Sequence, residues 1–533
     1  MIPGSANPLL LASAAAAPAG YAISRSLRFN SSDSAYLSRT PSTAGNRRVF
    51  AWAAWVKRGA VDNGDYSLFF AGSDNANITW LEFSSAALRF GSRTGNDTVI
   101  DVITSALFRD PSAWYHVVLS VDTPRVSAAN RVQIYVNGVL QPYTGTIPLQ
   151  NADLWINTMQ PHAIGFQVFP GIRYFNGCLA DIHFCDGNSY TASAFGEFDA
   201  NGIWQPKAYT GSYGTNGFHL AFSDNSTAGS LGDDSSGNGN NWTVNNISVA
   251  AGAGNDSLVD VPTNGTETDT GIGGEVRGNY CTGNPIAKNT YGSTLSFANG
   301  NLDWTFSGNA FATIAATSGK WYAEVVFTTA GGAARGVGVA PYDWSSIAAA
   351  YFSDGTKYLD GVNSSYSGVT FTTGDIIGIA WDADSKQVTF YKNNVSQGSM
   401  TYTNTKDLTF VAFRGGTEGT SVCAWNFGQR PFAYPVSGYK SLCTANLPST
   451  TITTSGSYTG NGVADGPFVY LNGVPTAMTV NGNAVTFGTH ADKLSNGFKI
   501  RTTSTTFNQN ASTYNYSITT TGDPFKTARA QSN

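Results

Sequence analysis

Arg131-Val-Gln-Ile-Tyr-Val-Asn-Gly138 is the stretch from which the fold can be read. Val132, Ile134 and Val136 recur at every second position, the period of a strand that buries one face. The run ends in Asn137-Gly138, a pair that tolerates positive φ at both central positions of a type I′ hairpin. Just upstream, His116-Val-Val-Leu-Ser-Val-Asp122 supplies a strand of similar length. The same grammar returns at Tyr391-Lys-Asn393-Asn394, at Tyr470-Leu-Asn472-Gly473 and at Asn481-Gly482. These are recurrent hairpin solutions and not a sequence repeat.

Working outward, composition extends the strand reading to the whole chain of 533 residues. Hydrophobic residues make up 41%, enough for packed cores. Charged residues reach only 12%, against roughly 25% in ordinary soluble domains. The polar surface must therefore come from Asn, Ser, Thr and Gly, which favour turns and strands over helices. The expected class is all-β. The net charge is −5, and no Lys/Arg stripe marks a nucleic-acid surface. No run of about 18 apolar residues exists to span a membrane as a helix. Five cysteines, Cys178, Cys185, Cys281, Cys423 and Cys443, form neither a disulfide framework nor a zinc pattern. Cys178 and Cys185 sit seven apart in one strand pattern, which puts them on opposite faces; they read as reduced thiols of a protein made in a cytoplasm.

Turn-rich stretches divide the chain. Residues 1–20 hold Leu9-Leu10-Leu11 between Pro8 and Pro18, with no basic residue before Arg25. A secretory signal would need a positive start, so the segment is expected to be a docking peptide, with Leu9, Leu10 and Leu11 inserting into another subunit. Residues 21–190 form a first sandwich, 191–280 a loop-rich connector with short strands, 281–436 a second sandwich, and 437–533 a small β domain. Asp233-Asp-Ser-Ser-Gly-Asn-Gly-Asn-Asn241 lies in the connector and reads as loop chemistry.

Two resemblances sharpen this. Ser26-Leu-Arg-Phe29, Phe50-Ala-Trp-Ala-Ala-Trp-Val56, Trp114 to Asp122, Val132 to Gly138 and Phe175-Asn-Gly-Cys-Leu-Ala-Asp-Ile-His-Phe184 occur in an order that resembles a laminin-G or concanavalin A-like lectin domain. Ser318 to Phe327, Gly336-Val-Gly-Val-Ala340, Gly374 to Asp382 with Val388-Thr-Phe-Tyr-Lys-Asn393, and Asn426-Phe-Gly-Gln-Arg-Pro-Phe432 resemble a SPRY domain. Together they imply tandem concanavalin-like jelly-roll sandwiches that bind through loops. With the N-terminal segment and Asp234 to Trp242, the architecture resembles tailed-bacteriophage fibre proteins. This last step is an analogy, because a fold does not fix a function.

The search for chemistry returns little. A glycoside hydrolase needs two carboxylates facing each other across the scissile bond, yet the six glutamates, Glu82, Glu197, Glu267, Glu275, Glu324 and Glu418, are scattered. His116, His162, His183, His219 and His490 show no metal-ligand spacing, and His116 and His183 read as sheet residues with satisfied partners. No catalytic residue, transition metal or organic cofactor is expected. Calcium stays open at Asp74, Asn75 and Asn77, against an ordinary turn reading that is preferred. Tyr342, Trp344, Tyr351 and Tyr366 fall between SPRY-like strands and are the ligand-binding candidates, since exposed aromatics stack on sugars or anchor partners. The expected function is a non-enzymatic virion structural protein, a tail fibre or similar appendage, that touches host-surface glycan. The alternatives are a capsid-bound head fibre or decoration protein, and a glycan depolymerase. Strand edges that need covering point to a homo-oligomer, for which a trimer is one arrangement.

Overall fold

The computed structural model describes residues 21–199, 203–265, 276–287, 294–329, 335–343, 345–414, 420–447, 451–464, 466–470, 474–494 and 497–521. The chain is all-β. Among the described residues, strands are joined by turns, short 3-10 segments and one four-residue helix, Thr505–Asn508. No helix among them is long and apolar enough to cross a membrane. Leu9, Leu10 and Leu11 lie outside the described residues.

The hairpin that opened the argument is present: Val132–Val136 pairs with Val139–Leu140, and Asn137 and Gly138 turn at φ 48° and 78°. Asn393-Asn394 and Asn481-Gly482 also turn with positive φ. Asn472-Gly473 lies outside the described residues. Around this hairpin two eight-stranded antiparallel sheets face each other. One is centred on Trp114–Asp122, Val49–Arg58 and Gly177–Asp186, the other on Ala87–Thr94, Asn77–Ser84 and Asp65–Asp74. Trp52, Phe69, Leu81, Phe90, Leu119 and Phe184 fill the space between them.

The segment 191–280 differs from a connector. Phe218–Leu220 pairs with Gly177–Asp186, Thr243–Asn245 with Tyr36–Arg39, and Ser257–Leu258 with Ser26–Phe29. Phe218, Leu231 and Trp242 enter the first core. The Asn/Gly/Ser composition suggested a linker because each strand here is only two or three residues long. The loop Asp233 to Asn241 is tied down by Asp234, whose carboxylate accepts from the backbones of His219, Ser236 and Asn240.

A second sandwich follows. Its eight-stranded sheet has Ser421–Asn426, Lys320–Thr329 and Ile376–Asp382 at the centre, and its six-stranded partner runs from Asn309–Phe311 to Val362–Ser367. Both sandwiches fall in one compact unit. The outer face of the first sandwich's Gly177–Asp186 sheet is covered as well. Lys57 Nζ, on that face, donates to Asp260 Oδ2 at 2.7 Å, Asn279 Oδ1 at 2.8 Å and the Tyr280 carbonyl at 2.8 Å. Trp114 Nε1 donates to the other Asp260 oxygen. Arg28 Nε donates to Asp256 Oδ1 at 3.0 Å. The Ala253 carbonyl accepts from both Arg28 of the first sandwich and Arg430 of the second.

The second unit is the C-terminal β domain. A four-stranded sheet (Thr451–Thr459, Thr513–Thr521, Val474–Val480, Asn483–Ala484) packs with a three-stranded one around Met478, Val480, Phe498, Tyr514 and Ile518.

Asp260→Ala leaves the Lys57 ammonium buried without its countercharge, which costs about 3–5 kcal/mol. It is expected to lower the denaturant midpoint accordingly. Lys57→Met combined with Asp260→Leu removes both charges and is expected to cost much less; equal losses in the two variants would show that packing, not charge, holds this contact.

Candidate functional site

Of the four aromatic candidates from the second sandwich, the two whose side chains are described, Tyr342 and Tyr351, do not stand on an exposed surface. Tyr351 lies on the strand Ala349–Phe352, fully buried, with its ring 5.1 Å from Phe371 and 5.7 Å from Phe390. Tyr342 is half-buried against Phe311, and its hydroxyl donates to the Ala312 carbonyl. Strand alternation turned Tyr351 into the core, while Tyr342, in the turn after Arg335–Pro341, packs against its edge. Trp344 and the Tyr366 side chain lie outside the described residues. The calcium candidates sit at the hairpin between Asp65–Asp74 and Asn77–Ser84. There the Asp74 carboxylate accepts from Ser73 Oγ, the Ala76 backbone and Asn77 Nδ2, which is turn chemistry. Asn75 Oδ1 accepts from Arg93.

The carboxylates of the first sandwich are engaged too. Glu82 Oε2 accepts from Arg173 Nη1 at 2.6 Å, and Arg173 also reaches Asp65 at 2.9 Å. Arg89 makes two 2.7 Å bonds to Asp101 and approaches Glu82 at 3.6 Å. Burial pushes the Glu82 carboxyl up to about 7 against the pull of Arg173.

A different group is the candidate site. In Gly177–Asp186, Ala180 pairs with Trp55 but His183 pairs with Ala53, so Asp181 and Ile182 stand opposite the single residue Ala54 and a bulge results. Asp181 occupies it at φ 51°, a conformation costly for a non-glycine residue. The bulge shifts the alternation. Leu179, Ile182 and Phe184 all face the core. Cys178, His183 and Cys185 therefore share the outer face, which corrects the expectation that the two thiols oppose each other. All five cysteines are buried and free.

On this outer face His219 is the cross-strand neighbour of His183, with rings 4.2 Å apart and 10° from parallel. Asp181 Oδ1 accepts from His219 Nε2 at 2.7 Å and from the Tyr21 hydroxyl at 2.6 Å. Asp181 Oδ2 lies 3.2 Å from His183 Nε2, a close contact without hydrogen-bond alignment. The Tyr213 hydroxyl is hydrogen-bonded to His183 Nδ1 at 2.9 Å. Burial alone would raise the Asp181 carboxyl, but His183 and the bond from His219 hold it well below the carboxylate range. Burial keeps His183 neutral, with Asp181 opposing. Burial, then Asp181, raises Tyr21; burial raises Tyr213 and Tyr209 too, so all three are hydrogen-bond donors at working pH. Tyr190, Tyr209 and Tyr213 stand half-exposed at the rim. Tyr209 stacks on Phe195 at 5.0 Å and meets Tyr213 and Tyr190 edge-on at 4.8 and 5.4 Å.

Asp181, His183 and His219 are the set among the described residues whose ligand atoms converge within metal range. The rings exclude shared coordination in this arrangement. An imidazole lone pair lies in its ring plane, and two stacked planes cannot both aim at one ion about 2.1 Å away. The group is a charge-fixed acceptor beneath an aromatic rim. Sequence reasoning treated His183 as an ordinary sheet residue. The available signal was Asp181-Ile-His183, an acid and an imidazole inside an apolar strand, where burial demands partners.

One comparison falls on this sandwich. Residues 29–187 match the family model of the concanavalin A-like lectin/glucanases superfamily (Laminin_G_3). No curated protein matches the chain. Among solved structures, the SPRY domain of human HERC1 shares 17% identity, with 26% of this chain and 95% of that one covered, at a TM-score of 0.23. Mouse laminin alpha1 chain domains LG4-5 share 10%, over 81% and 96%, at 0.27. The native heptameric SAP-like pentraxin from Limulus polyphemus shares 18%, over 34% and 82%, at 0.24.

Two buried histidines make a pH prediction. Burial lowers His116 to about 3 and His162 to about 4. Below about 6.5 the unfolded chain takes up protons that these residues refuse, so their contribution is lost as pH falls, by about 1.4 kcal/mol per unit for each. Glu82, raised to about 7, acts with the opposite sign, its contribution being lost as pH rises from about 4.5 to 7. Glu82→Gln is therefore expected to steepen the fall in stability between pH 6.5 and 5 by about one proton. Denaturant titrations across that range would show it, and an unchanged slope would refute it.

Proposed function

We propose that the chain is a non-catalytic structural protein of a tailed-phage virion, attached through its N-terminal segment and binding carbohydrate on the host surface. One observation carries the binding half. The sandwich that matches a lectin-type family sets half-exposed Tyr190, Tyr209 and Tyr213 around a fixed carboxylate–imidazole group. Sugars are held by this combination, with aromatic faces against their apolar sides and preset polar atoms fixing orientation. His219, with 14% of its side chain exposed, is the most exposed member of the Asp181–His183–His219 group.

A non-catalytic role agrees with the engagement of Glu82 by Arg173 and Arg89 and of Asp181 by its own network. Both carboxylates are committed to partners within the fold. The virion assignment rests on the resemblance of architecture to phage fibres and on the docking reading of residues 1–20. A cytoplasmic origin agrees with five reduced, buried cysteines.

The test is a panel of bacterial capsular and lipopolysaccharide glycans presented to the full chain. Retention is expected, and Tyr209→Ala with Tyr213→Ala is expected to weaken it at least tenfold. Release of new reducing ends would establish a depolymerase instead. Imaging of an intact particle, with the first 25 residues located, would separate tail attachment from a head fibre or decoration role, and absence of the chain from particles would end the virion reading.

A further inference from the structure

The outer face of the C-terminal unit's four-stranded sheet carries a shallow groove of about 600 Å³. That volume lies within the range of small-ligand sites. Strand register arranges its polar side chains in two rows. Ser455 sits opposite Ser517, which sits opposite Thr479 on its other side. Ser457 sits opposite Asn515, whose backbone N–H donates to Asn481 Oδ1 at 2.9 Å. Directly opposite residues share a face, with strands about 4.8 Å apart and same-face positions about 6.8 Å apart along a strand. The grid is thus about 10 Å by 7 Å, the footprint of one to two sugar rings.

Three features say what it would take. None of the lining residues is charged, which removes the countercharge that a phosphate, a uronate or a cationic peptide would require. Nor does an exposed apolar or aromatic side chain line it, which removes the anchor that a protein hot spot needs. The hydroxyls of Ser455, Ser457, Thr479 and Ser517 and the Asn515 carboxamide make no hydrogen bond to other described residues, so they stand ready for a ligand. Hydroxyls and carboxamides both donate and accept, as the hydroxyls of a neutral sugar also do.

The support beneath is rigid. Tyr458, Tyr514, Tyr516 and Ile518 alternate with the groove residues and pack into the core. Gly456 belongs to this design, since a Cβ there would lie 2.4 Å from the Tyr516 hydroxyl. At the open end Asn481 and Gly482 form the tight turn at φ 46° and 80°, and a Cβ at Gly482 would meet nothing within 4 Å. Pre-ordered groups lose little freedom on binding.

We infer that this face binds an uncharged oligosaccharide through the Ser455–Ser517–Thr479 and Ser457–Asn515–Asn481 rows. The inference rests on the carbohydrate-binding reading above and adds a second contact chemically unlike the tyrosine-rimmed one. The experiment uses the full chain and an array of neutral and acidic bacterial polysaccharides. Asn515→Ala with Ser517→Ala alters exposed side chains and is expected to lower affinity for neutral glycans at least tenfold, while Val463→Ala, an exposed position of the same unit outside the groove, leaves that binding intact. Neutral-glycan binding unaffected by the double substitution but lost with Tyr209→Ala would overturn the second site and keep the first. Binding of acidic glycans alone at this face would overturn its assigned ligand class. Loss of self-association in Asn515→Arg, with glycan binding unchanged, would assign the face to contacts between copies and overturn the proposal. Silence of the whole array would remove the carbohydrate reading itself.

Discussion

Everything in the larger unit depends on burying a cation on the outer face of a sheet. Lys57 sits on Val49–Arg58, whose inner face carries Phe50, Trp52, Ala54 and Val56 into the core, and its side chain is sealed at 4% exposure with Asp260 at 2%. An unpaired ammonium in that position would be prohibitive. The chain solves this by laying Asp256 and Asp260 of one described segment, 256–265, and Asn279 and Tyr280 of another, 276–281, against the sheet. Arg28 repeats the solution with Asp256. Such pairs contribute little net stability compared with apolar packing, but they penalise any arrangement that separates them. They define how these segments lie on the sheet. The Ala253 carbonyl, just before Asp256, accepts from Arg28 and Arg430 alike, so the turn leading into the first of these segments also contacts the second sandwich.

This use of charge explains the composition. With few ionisable residues, the fold still buries several, Lys57, Asp260, Arg28 and Glu82 among them, and buried Glu82 anchors the partly exposed Asp65–Arg173–Glu82–Arg89–Asp101 chain of contacts. The surface is left to Asn, Ser and Thr. Asp234 and Asp74 act locally, each closing a turn with its own neighbours. The few charges are thus divided between buried pairs such as Lys57–Asp260 and Arg28–Asp256 and exposed pairs such as Arg48–Asp153 and Lys406–Asp343.

What could be read in advance follows the range of the interaction. Hairpins depend on adjacent residues, so Asn137-Gly138 and Asn481-Gly482 announced themselves through their need for positive φ. The alternation of Val132, Ile134 and Val136 needed only a period of two. By contrast, Phe218–Leu220 and Thr243–Asn245 are too short to show a period, and their membership in the first sandwich comes from pairing with strands far away in sequence. Tyr351 misled because a position between signature motifs was taken for a loop, whereas it lies on a strand with its ring inward. The candidate site was the least legible. His219 reaches His183 only through a cross-strand register, and Tyr21 reaches Asp181 across 160 positions.

The bulge at Asp181 connects these levels. A regular strand would have continued the alternation of Leu179 and turned Asp181 and His183 toward the core, where a carboxylate would face Leu and Phe side chains. One extra residue sends His183 outward with the two thiols and leaves Ile182 and Phe184 to the core, at the cost of an unfavourable φ at Asp181. That cost persists only where surrounding contacts over-determine it. Here they do, since Tyr21, His219 and His183 all converge on the one carboxylate. Strain of this kind need not imply a ligand, because avoiding a buried acid in the core is reason enough for it. The half-exposed tyrosines raise the further question, since the core has no need of them. They give the outer face an aromatic rim over a polar centre, and that combination makes this face the place to look for a bound sugar.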